Sequence, residues 1–147
     1  MTEGPRVDTA QLMELLSVSL GAYYGDFTLA AASENLTAIQ GKALTVLRHG
    51  PIAMRALAEI MTCDASNVTG IIDRLEKRGL VRREVSASDR RVTNLVITAE
   101  GERLAETIRA KMHTTREGLD NLDAEDRDRL YALLKRVFIA RPAARPE

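Results

Sequence analysis

Between Asp64 and Gly79 the chain sets Ser66, Asn67, Thr69 and Gly70 ahead of Asp73, Arg74 and Lys77, while Val68, Ile71, Ile72 and Leu75 recur at helical spacing. That spacing predicts an amphipathic helix over 65–78, its apolar stripe packed inward and its other face free. The free face carries short hydrogen-bonding groups near its start and cations near its end. Short donors and acceptors match the edges of bases, and long cations match phosphates. A second group follows at Ala87 to Arg91, where Asp89, Arg90 and Arg91 lie in turn-forming sequence. Two guanidinium groups on a turn suit a narrow groove of focused negative potential, and Asp89 can orient one of them by a charge-assisted hydrogen bond. The plain alternatives are a solvated helix face and a surface ion pair contributing about 0–1 kcal/mol.

These groups need elements to hold them. Asp64 is a good N-cap residue for the helix and Gly79 a good left-handed terminator. Upstream, Pro51 to Met61 predicts a second short helix with Leu57, Ala58 and Met61 inward, and Thr62 and Cys63 leave only a tight connection. Two short helices across such a turn make a helix-turn-helix. Downstream the period changes: Leu80 to Ser86 is β-compatible, and from Val92 to Thr98 apolar and polar residues alternate. The two strands predict a hairpin with the arginines at its tip. The fold class is mainly α with a small β-hairpin wing (α+β), a winged helix-turn-helix able to put the helix in the major groove and the wing tip 87–91 in the minor groove.

The run from Leu36 to Leu104 resembles the MarR family of bacterial transcriptional regulators. The motifs that carry the resemblance are LTAIQ at 36–40, DRLEKRGLV at 73–81, DRR at 89–91 and ITAEG at 97–101. The resemblance implies a homodimer on pseudo-palindromic promoter DNA, with a repressor as the expected sense. It gives Ser66, Asn67, Thr69 and Arg74 the recognition-helix roles, Arg91 with Arg90 the wing role, and Asp89 the holding of the wing arginine. One departure is Gly70, where many members carry a basic residue. Glycine there removes a contact but lets the backbone approach DNA closely, at a cost of about 1 kcal/mol in helix propensity. The resemblance also implies a small effector, often aromatic or phenolic, in a crevice between dimerisation helices and lobe, for which Tyr23, Tyr24 and His49 are the candidate lining.

The rest of the chain fits that frame. Its 147 residues allow one sizeable core, with 45% hydrophobic and 29% charged residues. No run approaches the ~20 apolar residues of a membrane span, and a cytoplasmic location is expected. Basic and acidic residues balance at 21 each, but Val68 to Arg91 is net +3, and the compensating acid gathers at Asp120, Asp123, Glu125, Asp126 and Asp128. Each subunit should therefore be electrically lopsided. Asp8 is placed to cap a long helix bearing Leu12, Leu16, Leu20, Tyr23 and Phe27, and Asp123 one bearing Leu130, Leu133, Leu134, Val137 and Phe138. Thr37 and Gln40 have capping-box spacing for a helix over about 38–48, with Ile39, Ala43, Leu44 and Leu47 inward and Gly41 weakening its second turn. From a start at Thr98, Leu104, Ile108, Met112 and Leu119 trace one further helix, a strut. The expected organisation is a single domain over 1–147: an N-terminal dimerisation helix at 8–35, the DNA-binding lobe at 36–99, C-terminal dimerisation helices at 100–140, and a frayed tail at 141–147.

Competing classes fare less well. His49 and His113 fall in different helices, no glycine-rich phosphate loop exists, and the lone Cys63 has no basic sequence partner to activate it. Neither catalysis nor a cofactor is expected. A metal- or redox-responsive regulator of the same fold is the nearest rival, weakened by the lack of HxxxH or CxxC spacing. Cys63, like Met54, sits where the family is usually apolar, which fits packing. A winged helix used only for protein interaction is the third reading, and the arginines at the wing tip separate it from the first.

Overall fold

The computed structural model describes residues 6–139; the predicted tail at 141–147 lies outside them. The elements run α1 (Thr9–Ser33), α2 (Ala38–Leu47), β1 (Ile52–Ala53), α3 (Met54–Met61), α4 (Ala65–Lys77), β2 (Val81–Val85), β3 (Thr93–Ile97), α5 (Ala99–Ala110), α6 (His113–Asp120) and α7 (Ala124–Phe138). They form two compact units, one ending at Met112 and the other beginning at His113.

In the first unit the helices start where side chains satisfy orphan amides. Asp8 and Thr37 each close a capping box, with Gln11 and Gln40 as reciprocal partners. Thr98 accepts from the Gly101 amide at 3.1 Å and donates to the Gly79 carbonyl at 2.6 Å, stitching the start of α5 to the end of α4. Asp64 departs from expectation: it is the N-cap residue of α4 by backbone conformation, but its side chain makes no capping hydrogen bond. Helix α4 ends as predicted, with Gly79 at φ +71°. Gly79 N–H reaches the Glu76 carbonyl at 2.8 Å and Leu80 N–H the Leu75 carbonyl at 2.9 Å, which is a Schellman closure.

The core is the meeting of five helices and a small sheet, with α1 contributing Phe27, Ala30 and Ala31. Val68, Ile72 and Leu75 of α4, Leu44 and Leu47 of α2, Leu57 of α3, Leu95 of β3 and Ile108 of α5 are all essentially inaccessible. Each such side chain contributes about 1.5–3 kcal/mol of burial. Gly41 is a packing device here: a Cβ at that position would stand 3.0 Å from Cζ of Phe27, so its absence lets α1 and α2 approach closely. Gly101 does the same at the start of α5, where a Cβ would lie 2.2 Å from the Leu80 carbonyl oxygen.

The sheet is antiparallel, ordered β1-β3-β2, with Arg83 opposite Leu95 and Val85 opposite Thr93 in the hairpin. Its third strand corrects the reading of Pro51 to Met61 as one helix. Ile52 and Ala53 pair with Leu95 and Asn94, and the helix begins only at Met54. Pairing with β3 supplies hydrogen bonds that two residues alone could not show as a sequence pattern. The strut is also corrected, because α5 ends at Ala110 and α6 begins at His113. Ala105, Ile108 and Met112 are buried in the core of the first unit.

In the second unit, Asp123 caps α7 by accepting from Asp126 N–H at 2.8 Å. Glu125 and Asp126 in its first turn and Lys135 and Arg136 in its last complement the helix dipole. Leu133, Leu134, Val137 and Phe138 are exposed along α7, and so are Leu12, Leu15, Val18 and Leu20 along α1.

Candidate nucleic-acid interface

Helix α4 presents its outer face as the sequence predicts. Val68, Ile71, Ile72 and Leu75 are buried, whereas Ser66, Asn67, Thr69, Arg74 and Lys77 are exposed and Gly70 is half-buried with open space above its Cα. Ser66, Asn67, Gly70 and Arg74 line a shallow groove of about 280 Å³ with Ile39 and Ile71. Thr69 donates its hydroxyl to the Ala65 carbonyl at 2.9 Å, so it offers a partner only lone pairs and a methyl group. A methyl and an acceptor are what a thymine methyl and an amino group of a base can meet. The short connection before α4 holds Thr62 at φ +54°, and Cys63 points its Sγ to the Met61 carbonyl at 3.4 Å.

The wing tip is built by two side chains that fold the backbone onto themselves. Asp89 Oδ1 accepts from Arg91 N–H at 3.0 Å and lies 3.6 Å from Nε of the same residue. Ser86, nearly buried, accepts from Ser88 N–H at 3.3 Å, and its own N–H donates to the Val92 carbonyl at 2.8 Å. Asp89 thus holds the turn from which Arg91 projects, with the Arg91 side chain 94% exposed. Arg90 is exposed as well and has no hydrogen bond or ion pair among the described residues.

Ion pairing decides which of the local cations remain available. Arg83 of β2 donates to Asp73 at 2.6 Å and also to Glu76, both on α4, which ties the wing strand to that helix. The hydrogen bond to Asp73 is the main reason the Arg83 guanidinium is held above the ordinary arginine range, against partial burial. Arg82 is engaged by Glu84 at 2.6 Å. Arg74, Lys77 and Arg90 carry no such partner among the described residues, so both acids of α4 are engaged by the single guanidinium of Arg83 while these cations face outward. Sequence counting could not separate the two sets, because Arg83 and Asp73 are ten residues apart and meet only across the helix-to-strand turn.

A crevice of about 450 Å³ opens between α1 and α2, walled by Leu20, Tyr23, Tyr24, Phe27, Lys42 and Thr45 with Gly21 at its floor. Tyr23 and Tyr24, two of the three residues expected to line an effector crevice, are among its walls. His49 does not join them: it is exposed beyond the end of α2 and forms no part of this wall. Lys42 and Thr45 were not anticipated, although their spacing on α2, opposite the buried Ala43, Leu44 and Leu47, is the signal that marks them as its outer face. Among the described residues no group of three or more His, Cys, Asp and Glu side chains has a metal-holding arrangement.

A model of the MarR family matches residues 36–93, from just before the capping box of α2 to the first residue of β3. The HTH-type transcriptional regulator YfiV of Bacillus subtilis is 34% identical over 94 residues, which are 63% of this chain and 59% of that protein. The HTH-type transcriptional repressor NicR of Pseudomonas putida is 28% identical over 132 residues, 88% of this chain and 84% of that one. Among solved structures, CouR from Rhodococcus jostii RHA1, crystallised with p-coumaroyl-CoA, superposes with a TM-score of 0.73 at 23% identity over 95% of this chain and 99% of that one. That last likeness is one of fold.

Proposed function

We propose, from the match of residues 36–93 to the MarR family, that the chain is a transcriptional regulator of that family which binds promoter DNA sequence-specifically as a homodimer. The observation that carries the reading is the division of cations described above. Arg74 and Lys77 at the end of α4 and Arg90 and Arg91 at the wing tip face outward on elements that Arg83 locks together. In this reading Ser66, Asn67 and Thr69 meet base edges in the major groove, Gly70 admits close backbone approach, and Arg74 and Lys77 hold phosphates. Arg91, braced by Asp89, enters the minor groove with Arg90 beside it.

A dimer is supported by what the chain leaves uncovered. Helix α1 runs for 25 residues, yet only Phe27, Ala30 and Ala31 are buried, and Leu12, Leu15, Val18 and Leu20 of its first half are exposed. Leu133, Leu134, Val137 and Phe138 of α7 are likewise exposed. Two lobes about a twofold axis read half-sites about 34–36 Å apart, which one short helix and one wing could not do with operator-level affinity. Repression is the sense that the relation to NicR favours. The crevice on α1 supports a small aromatic effector: Tyr23, Tyr24 and Phe27 supply flat apolar contact. No catalytic step and no resident cofactor belong to this reading, and its setting is the cytoplasm.

The test is selection of bound fragments from genomic DNA followed by affinity measurement at several salt concentrations. A regulator gives a fragment preferred over random duplex by about 10³-fold or more, with affinity falling steeply as salt rises. No preference, or no salt-dependent binding, removes the reading.

A further inference from the structure

Three helices end at one turn. The C-terminus of α1 closes through Glu34 and Asn35, with Asn35 at φ +57° and Leu36 N–H returning to the Ala31 carbonyl at 3.0 Å. Arg78, the C-cap residue of α4, donates Nη1 to the Asn35 carbonyl at 2.8 Å and Nη2 to the Glu34 carbonyl at 3.2 Å. Lys111, the C-cap residue of α5, bonds the Glu34 carboxylate and lies 3.3 Å from Ser33 Oγ. Each helix brings about half a negative charge to its C-terminus. Three such ends disfavour one another's approach, and Arg78 and Lys111 place cations between them.

We propose that this turn is the joint through which α1 sets the position of the recognition helix, with Arg78 as the positioning residue and Lys111 as its brace. The inference rests on the DNA-binding reading for its consequence but on these bonds for its geometry. A guanidinium gripping two successive carbonyls fixes direction as well as distance, which a single ammonium contact does not. Phe27, on the crevice wall, stands seven residues before Glu34, about 10 Å along the same helix. A molecule that displaces α1 at the crevice therefore displaces the carbonyls that Arg78 holds, and with them the end of α4. Lys77, one residue earlier, faces outward without a partner among the described residues, whereas Arg78, although exposed, is engaged by the two carbonyls.

The experiment compares wild type, Arg78→Gln, Arg78→Lys, Lys111→Met and the double variant Arg78→Gln/Lys111→Met on a selected genomic fragment at several salt concentrations. Arg78→Gln should weaken specific binding roughly ten-fold and Lys111→Met roughly three-fold, the range of couplings carried by such networks. The double variant should lose less than the product of the two, because both grip one turn. Arg78→Lys should recover only part of the loss, and the salt dependence should not change. In the absence of DNA, amide exchange at Leu36 and Leu80, the closing bonds of the two helix ends, should accelerate in Arg78→Gln. Full recovery by lysine, with a flatter salt dependence in Arg78→Gln and no effect of Lys111→Met, would make Arg78 a phosphate ligand and overturn the proposal. Unchanged exchange at both amides would overturn it too. If the wild type binds no DNA, the regulator reading fails while the exchange measurement still decides the joint.

Discussion

Replacing Arg91 by alanine takes one guanidinium from each wing tip, and its consequences for stability and for binding separate cleanly. The side chain is 94% exposed and its contact with Asp89 at 3.6 Å is a solvated ion pair, so the stability change should stay within about 0.5 kcal/mol, a melting shift of roughly 1–2 °C for a chain of this size. Binding is another matter. Each cation that displaces counterions contributes about 0.9 to the slope of log affinity against log salt, and a dimer loses two, so the slope should become shallower by about 1.8. Over a fourfold rise in salt, from about 50 to about 200 mM, wild type should then lose about twelve-fold more affinity than the variant. Fluorescence anisotropy with a labelled fragment reads both quantities. Asp89→Asn keeps an oxygen that accepts from Arg91 N–H and should bind nearly as wild type, whereas Asp89→Ala frees the turn and should weaken binding several-fold without lowering the slope. A slope unchanged in Arg91→Ala, in a folded dimer, would refute the placement of the wing in the groove.

Asn67→Ala should relax preference at one base pair of each half-site while Arg74→Ala weakens binding across all sequences, distinguishable by a panel of single-base variants. Gly70→Ala should raise the melting temperature, since the new methyl meets open space and helix propensity gains about 1 kcal/mol. Gly101→Ala should do the reverse and destabilise by about 1–3 kcal/mol or more, because its Cβ would strike the Leu80 carbonyl oxygen at 2.2 Å; chemical denaturation decides. Arg48→Met should lower stability by roughly 1–2 kcal/mol, leaving Glu102 and Glu106 of α5 without the guanidinium they share at 2.6 and 2.9 Å. The hydrogen bond to Glu102 raises the Arg48 pKa, so the arginine's share of this stability is lost only as pH rises through a value above the ordinary arginine range.

The lobe was legible wherever local chemistry and long-range packing agree. Thr37 with Gln40, Thr98, Gly79 and Asp123 end or begin helices through their own side chains or backbone freedom, so the residues alone reveal the boundaries. The stripe of Val68, Ile71, Ile72 and Leu75 is likewise local. Strand β1 was not legible, because Ile52 and Ala53 become a strand only by pairing with β3, more than forty residues on. The break between α5 and α6 hid behind apolar spacing: Met112 continues the period of Leu104 and Ile108 but is buried at the turn after the helix. In the candidate interface, residue types identified the cations. Only the fold shows that Arg82 and Arg83 are engaged by acids and Arg78 by backbone carbonyls, leaving Arg74, Lys77 and Arg90 for a partner. At the crevice, the two tyrosines were identifiable by type, whereas Lys42 and Thr45 required knowing which helix faces α1.

The most direct test is the mass and selectivity of the protein–DNA complex, measured by sedimentation on a fragment that the protein itself selects from genomic DNA and on random duplex of equal length. The account predicts two chains on each selected site at concentrations where the random duplex stays free. A single chain per site, or equal occupancy of both duplexes, would contradict it.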